Sequence, residues 1–289
     1  MNCLKQHHRT FPAFALMCLV CSSFCNASSV VFAVTPTGIL VATDSKGVRI
    51  SGGDTRRPLG SIEKAFIIQD RLVVASVGTA VMNFTRPGHP EDSTRYNFAE
   101  WMTEIKKECP RNLSVSALTS LIESKSRNTF KNVSKVIASG TLDRKKTFDP
   151  LIEYYVAGYD TGVPSITHIY YRVDWENRRL SDPVTEVVHP SKNAPGVDND
   201  FFDVGITEVG AEIADAKGNA YKELLSMIPN EMPKLYAGKI LSIPEATDSC
   251  LAVLRYQTKH HPTFVGPPFV VTIIPLDGKE RAIRTVYSK

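Results

Sequence analysis

Ser28-Ser-Val-Val-Phe-Ala-Val-Thr-Pro-Thr-Gly38-Ile-Leu-Val-Ala-Thr-Asp44 is the stretch on which the fold turns. It reads as two apolar strands, near 30–34 and 39–43, around a tight Thr35-Pro-Thr-Gly38 turn. Beyond it a polar, Gly-rich excursion covers 45–61, and a second strand pair, 65–68 and 72–77, is linked by Gln69-Asp70-Arg71. The period then changes. Phe98, Trp101, Met102 and Ile105 fall at i, i+3, i+4 and i+7, one face of a helix ending near Pro110. A second helix from Ser114 carries Leu118, Leu121, Ile122, Phe130 and Val133.

Strands return at 152–158 and 165–173, with weaker ones near 184–188 and 201–204. A third helix is marked by Ile213, Ala220, Tyr221, Leu224, Leu225 and Ile228, with Gly218 weakening its middle. A fourth opens on the capping box Ser242-Ile-Pro-Glu245, and strands at 270–274 and 282–287 close the chain around Asp277-Gly278. Strands and helices grouped in runs argue against a doubly wound parallel sheet. The order suits an α+β fold, one αββα domain with two sheets between helical layers.

The 289 residues carry a formal charge of +4, too mild to point to nucleic acid. Four of the six cysteines, Cys3, Cys18, Cys21 and Cys25, fall in the first 25 residues. Lys5 and Arg9 precede an apolar run, Phe11 to Cys21, and no acid occurs before Asp44. This predicts a secretory signal peptide over 1–27, cleaved after Cys25-Asn26-Ala27, with a domain over 28–289 that is secreted or periplasmic. The run is too short for a stable membrane span, which takes roughly 20 apolar residues. Cys109 and Cys250 remain, open to pairing or to two buried thiols.

At this point the residues become specific. The 28–44 stretch resembles the opening of proteasome β-type subunits, which are N-terminal nucleophile hydrolases. That family begins its first strand with the nucleophile, turns the hairpin on a Gly and ends the second strand with Ala-x-Asp. Gly38 and Asp44 fall at matching places, and counting back puts the nucleophile at Ser28. Lys64-Ala-Phe-Ile-Ile-Gln-Asp-Arg-Leu-Val-Val-Ala-Ser-Val-Gly78-Thr79 continues the match, with Lys opening the third strand and Gly closing the fourth. Tyr154-Tyr-Val-Ala-Gly-Tyr-Asp160 and Ile169-Tyr-Tyr-Arg-Val-Asp174 are similar to the central hairpin.

The resemblance implies hydrolysis of a peptide or other amide, and a homo-oligomer of the ring type. A free α-amino group titrates near ~7.7–8.0, so it can serve as base for the hydroxyl on its own residue. Lys64 would keep the local potential positive, Asp44 would pair with it, and the Gly78 N–H would meet the oxyanion. Amide hydrolysis through an acyl-enzyme ester requires neither metal nor cofactor. Ser29 is the fallback nucleophile if cleavage falls one residue later.

Three departures keep a catalytically silent scaffold or binding protein as the alternative. The nucleophile is Ser where proteasome subunits use Thr, and the segment between Asp44 and Lys64 is about four residues longer. The family's supporting Gly-Ser-Gly and Asp-x-x-Ser read here Val204-Gly205-Ile206-Thr207 and His260-His-Pro-Thr-Phe-Val-Gly266. The His260–His261 pair reads as a helix end rather than a metal site.

Overall fold

The computed structural model describes residues 23–27, 29–50, 56–86, 88–140, 142, 144, 150–189, 200–205, 218–237, 239–276 and 280–288. The decisive hairpin forms as β2 (Ser29–Thr35) and β3 (Gly38–Asp44), and every residue of both strands is buried. Val31, Ala33, Leu40 and Ala42 turn one way, toward a core shared with helices. Val30, Phe32, Val34, Ile39 and Val41 turn the other way, toward the second sheet. A strand covered on both faces reads as a continuous apolar run, which is why this stretch carries so little polarity.

The smaller sheet runs β14-β2-β3-β15-β16, with β14 at Asp200–Gly205, β15 at Phe269–Pro275 and β16 at Ile283–Tyr287. The larger runs β13-β10-β9-β7-β1-β4-β5. Its strands are β1 (Ser23–Ala27), β4 (Lys46–Ile50), β5 (Arg56–Ser61), β7 (Leu72–Arg86), β9 (Ile152–Asp160), β10 (Val163–Tyr171) and β13 (Val184–His189). β6 (Ala65–Ile68) and β8 (His89–Asn97) also pair with β7, and β11 (Val173–Asp174) with β12 (Arg179–Leu180) makes a separate ribbon. All these pairings are antiparallel. The fold is therefore mixed α and β.

Six helices are formed among the described residues: α1 (Phe98–Glu108), α2 (Val115–Phe130), α3 (Val133–Ala138), α4 (Asn219–Met227), α5 (Met232–Tyr236) and α6 (Ile243–His260). α1 starts where the Asn97 side chain accepts from the Ala99 and Glu100 N–H groups, and it buries the expected Phe98, Trp101, Met102 and Ile105. α1 to α3 cover one face of β7 and β9 through Val74, Met82, Tyr154 and Val156. α4 and α6 cover β2, β3 and β15. Between the sheets, Val73, Ala75, Val77, Tyr155 and Ala157 meet the inward face of the hairpin, with Phe32 and Tyr155 rings 5.3 Å apart.

The structure corrects several expectations. Ser23–Ala27, expected in a discarded leader, is a strand of the larger sheet, paired with β4 through Asn26↔Val48 and with β7 through Ala27↔Gly78. The polar 45–61 excursion holds β4 and β5, because backbone pairing with a neighbour needs no apolar side chains. β7 continues past Val77 to Arg86 and pairs with β8, whose polar sequence gave no strand signal. The second helix breaks at Lys131, so that Val133 begins α3. Gly218 is the N-cap of α4 rather than an interior weakness, while Ile213 and the Asp277-Gly278 turn lie outside the described residues. Cys109 and Cys250 are both free thiols.

Candidate functional site

Asp44 ends β3, and the chain needs only twenty more residues to bring Lys64 to the start of β6. Their side chains are fully buried and joined, Lys64 Nζ to Asp44 Oδ1, at 2.6 Å. Three backbone N–H groups also donate to this carboxylate: Ser29 to Oδ1 at 3.1 Å, Lys46 to Oδ2 at 3.1 Å and Gly266 to Oδ2 at 3.3 Å. One carboxylate thus gathers the first residue of β2, the first residue of β4 and the loop before β15. A buried carboxylate and ammonium are tolerated only with such complete pairing.

Burial pushes the Lys64 ammonium below the ordinary amine range, and the Asp44 charge pulls it partly back. Burial likewise raises the Asp44 carboxyl, against the attraction of Lys64 and the N–H groups of Lys46 and Gly266. Four donors converging on two oxygens hold Asp44 as the carboxylate.

The Ser76 N–H donates to the Lys64 carbonyl at 2.9 Å, fixing β7 beside the lysine. Two residues on, Gly78 has φ +75°, a conformation L side chains rarely adopt, in the middle of a long strand. It pairs with Ile152 on one side and with Ala27 on the other. The glycine is therefore required by the backbone at that point.

The sequence-predicted residues divide as follows. Asp44 and Lys64 are in direct contact, and Gly78 reaches the same end of the molecule through strand register. Ser28 lies outside the described residues, as does Thr207. Ser29 is buried, and its hydroxyl donates to Gln257 Oε1 on α6. Gln257 was not foreseen. Its signal was a polar residue at the next helical place after the apolar Cys250, Val253 and Leu254. Gly266, expected near the family's altered late motif, contributes its backbone N–H instead of a side chain.

Among the described residues, His260 and His261 belong to no cluster of three or more potential metal ligands. His261 is the C-cap of α6, and His260 Nε2 lies 3.1 Å from Glu223 at the surface. His89, Glu91 and Asp92 place ligand atoms within 4.8 Å of one another. Asp92 is already ion-paired with Lys135 at 2.6 Å, and the other two are exposed.

No protein-family model matches the chain, and no curated protein matches it. Solved structures do. "Anbu (ancestral beta-subunit) from Yersinia bercovieri" is 14% identical, with 91% of this chain and 88% of that chain covered and a TM-score of 0.51. "Helical Assembly of the Anbu Complex from Pseudomonas aeruginosa" is 15% identical, with 91% and 87% covered and a TM-score of 0.49. A Gly-1 mutant of Anbu from Hyphomicrobium sp. strain MC1 is 14% identical, with 90% and 87% covered and a TM-score of 0.46. The resemblance to proteasome β-type subunits with a secretory signal peptide is thereby corrected. The structure that carries the likeness in fold is the Anbu protein from Yersinia bercovieri, and Ser23–Ala27, expected in a leader, is a sheet strand. In fold, this chain is similar to the ancestral beta-subunit from Yersinia bercovieri.

Proposed function

We propose that the chain is an amide-bond hydrolase with an αββα N-terminal-nucleophile architecture, acting on a peptide or related amide through Ser28 in a form of the chain whose N-terminus is Ser28. The observation that carries this reading is the buried Asp44–Lys64 pair holding the Ser29 N–H. Ser29 is tied to Asp44, and Ala27, two positions earlier in the sequence, is paired with Gly78. Lysine, carboxylate and the Gly78 backbone are thus tied to residues 27 and 29.

The chemistry follows from the groups. The freed α-amine of Ser28 takes the proton of its own hydroxyl as Oγ attacks the amide carbonyl. Lys64, held charged by Asp44, lowers the cost of the developing alkoxide. The Gly78 N–H donates to the tetrahedral oxyanion; in other enzymes loss of such a donor costs about 10²–10³ in rate. The amine then returns the proton to the leaving nitrogen, and a water hydrolyses the ester.

Strand β1 supports a peptide as substrate. It lies between β4 and β7, so removing it would free backbone donors and acceptors on both. A peptide entering there would pair as an added strand. The same strand favours a second reading, a silent scaffold, for a chain in which 23–27 stays in place.

Intact mass and a covalent serine-reactive probe separate the two. An N-terminus at Ser28, with labelling lost in Ser28→Ala, supports the hydrolase. A chain retaining residues 23–27 and taking no label supports the scaffold. An N-terminus at Ser29 with label on that residue overturns Ser28.

A further inference from the structure

A cavity of about 1010 Å³ opens at the other end of the molecule from Asp44 and Lys64. β7 runs between the two, with Leu72 on the cavity wall and Gly78 near the candidate site. Six residues at about 3.4 Å each separate them by roughly 20 Å. This space is not the place a peptide would take between β4 and β7, and nothing in the proposed hydrolysis uses it.

Its walls are four loops tied to one another. The Gln69 side chain accepts from the Leu113 N–H at 3.1 Å and donates to the Pro110 carbonyl, joining the β6–β7 turn to the α1–α2 loop. Asp160 accepts from the Val115 N–H at 2.8 Å, joining the β9–β10 turn to the start of α2. The Ala282 N–H donates to the Asp70 carbonyl at 2.8 Å, bringing in the connection to β16. Gln69, Asp70, Asn112 and Thr161, all on these loops, have positive φ, a cost accepted where the surroundings over-determine the backbone. A cavity braced in this way is formed before any ligand arrives.

The charges on its walls are unevenly engaged. Asp70 is paired with Arg281 at 3.4 Å, Asp160 is occupied by the α2 N–H, and Glu280 has a partner. Arg71 and Arg111 line the cavity with no carboxylate partner among the described residues. The lining also includes apolar groups, Ile274, Pro275 and Leu276 with the Tyr159 ring. Two uncommitted guanidinium forks recognise planar or tetrahedral oxyanions, and the apolar groups recognise a hydrocarbon body.

We infer that this cavity is a binding site for a small organic oxyanion, a carboxylate or phosphate on a short apolar body, held by Arg71 and Arg111. The inference is independent of the hydrolase reading, because binding is measured without turnover.

Calorimetric titration of the full chain with phenylphosphate, phenylacetate and inorganic phosphate tests it. Saturable binding of phenylphosphate or phenylacetate is expected, and the tighter of the two identifies the headgroup. Inorganic phosphate should bind at least about ten-fold more weakly, lacking the apolar body. The Arg71→Ala/Arg111→Ala double variant should weaken binding at least about ten-fold. Both side chains are exposed, so its melting temperature should stay at the wild-type value and show that the fold is intact. Arg71→Lys/Arg111→Lys should restore part of the loss, keeping charge without the fork. No saturation by either organic anion up to about 10 mM, a Kd weaker than any specific site of this size would show, overturns the inference. So does equal binding by the double Ala variant, or inorganic phosphate binding as tightly as the organic anions.

Discussion

At the residue scale, Asp44 and Lys64 are conspicuous because neither side chain touches water. Breaking such a pair from one side leaves a buried charge without its counter-ion. Lys64→Met is therefore expected to destabilise the protein by about 3–5 kcal/mol in urea denaturation, well beyond an exposed lysine substitution. The Asp44→Asn/Lys64→Met double variant should recover part of that loss, since no net buried charge remains. The introduced amide would still accept from backbone N–H groups, although it offers one oxygen where the carboxylate offers two. Single and double variants that are equally destabilised would mean that packing, not charge, dominates the site. Both should abolish any Ser28-dependent labelling.

At the element scale, α6 shows how much a few residues can specify. Ser242-Ile-Pro-Glu245 announces a capping box, and Glu245 does accept from the Ser242 N–H and Oγ at 2.8 Å each. Hydrogen bonds from Lys234 first, then from Ser242, lower the Glu245 carboxyl to about 2. Its folded value lies below the ordinary 4.5, so the stabilisation is fully present above pH 4.5 and is lost as pH falls toward 2. Glu245→Gln should melt lower than wild type at neutral pH, and the gap should shrink through that acid window. A gap that is constant with pH would mean that the carboxylate charge contributes nothing there.

The same reasoning explains what the sequence made legible. The hairpin at 28–44, the α1 face and the α6 cap were readable because burial or capping leaves a local signature. β8 was not, since His89-Pro-Glu-Asp-Ser-Thr-Arg-Tyr-Asn is held by backbone pairing to β7 rather than by an apolar run. β1 was missed because a basic start followed by apolar residues has the composition of a leader whatever it later pairs with. At the candidate site, the family resemblance singled out Asp44, Lys64 and Gly78, and the structure joins the first two. Gln257 was hidden because its contact with Ser29 spans 228 residues of sequence.

At the scale of the whole molecule, Cys109 and Cys250 report on how the cores are separated. Cys109 follows α1 and packs against the core that α1 to α3 share with the larger sheet. Cys250 is buried in the core that α4 and α6 share with the smaller sheet. The two cysteines therefore belong to different cores. A disulfide needs its Cα atoms within about 7 Å, and both thiols, in separate cores, are free. Burial also raises both thiols, Cys250 far more than the half-buried Cys109, and it is the thiolate that reacts. Iodoacetamide followed by peptide mapping should therefore label Cys109 in the native protein and Cys250 only in denaturant. At equal reagent the native rates should differ by at least about a hundred-fold, because Cys250 must wait for the helix to leave the sheet. Comparable native labelling of both would show that α6 opens freely. A Cys109–Cys250 linked peptide from unreduced protein would contradict the placement of the two cysteines in separate cores.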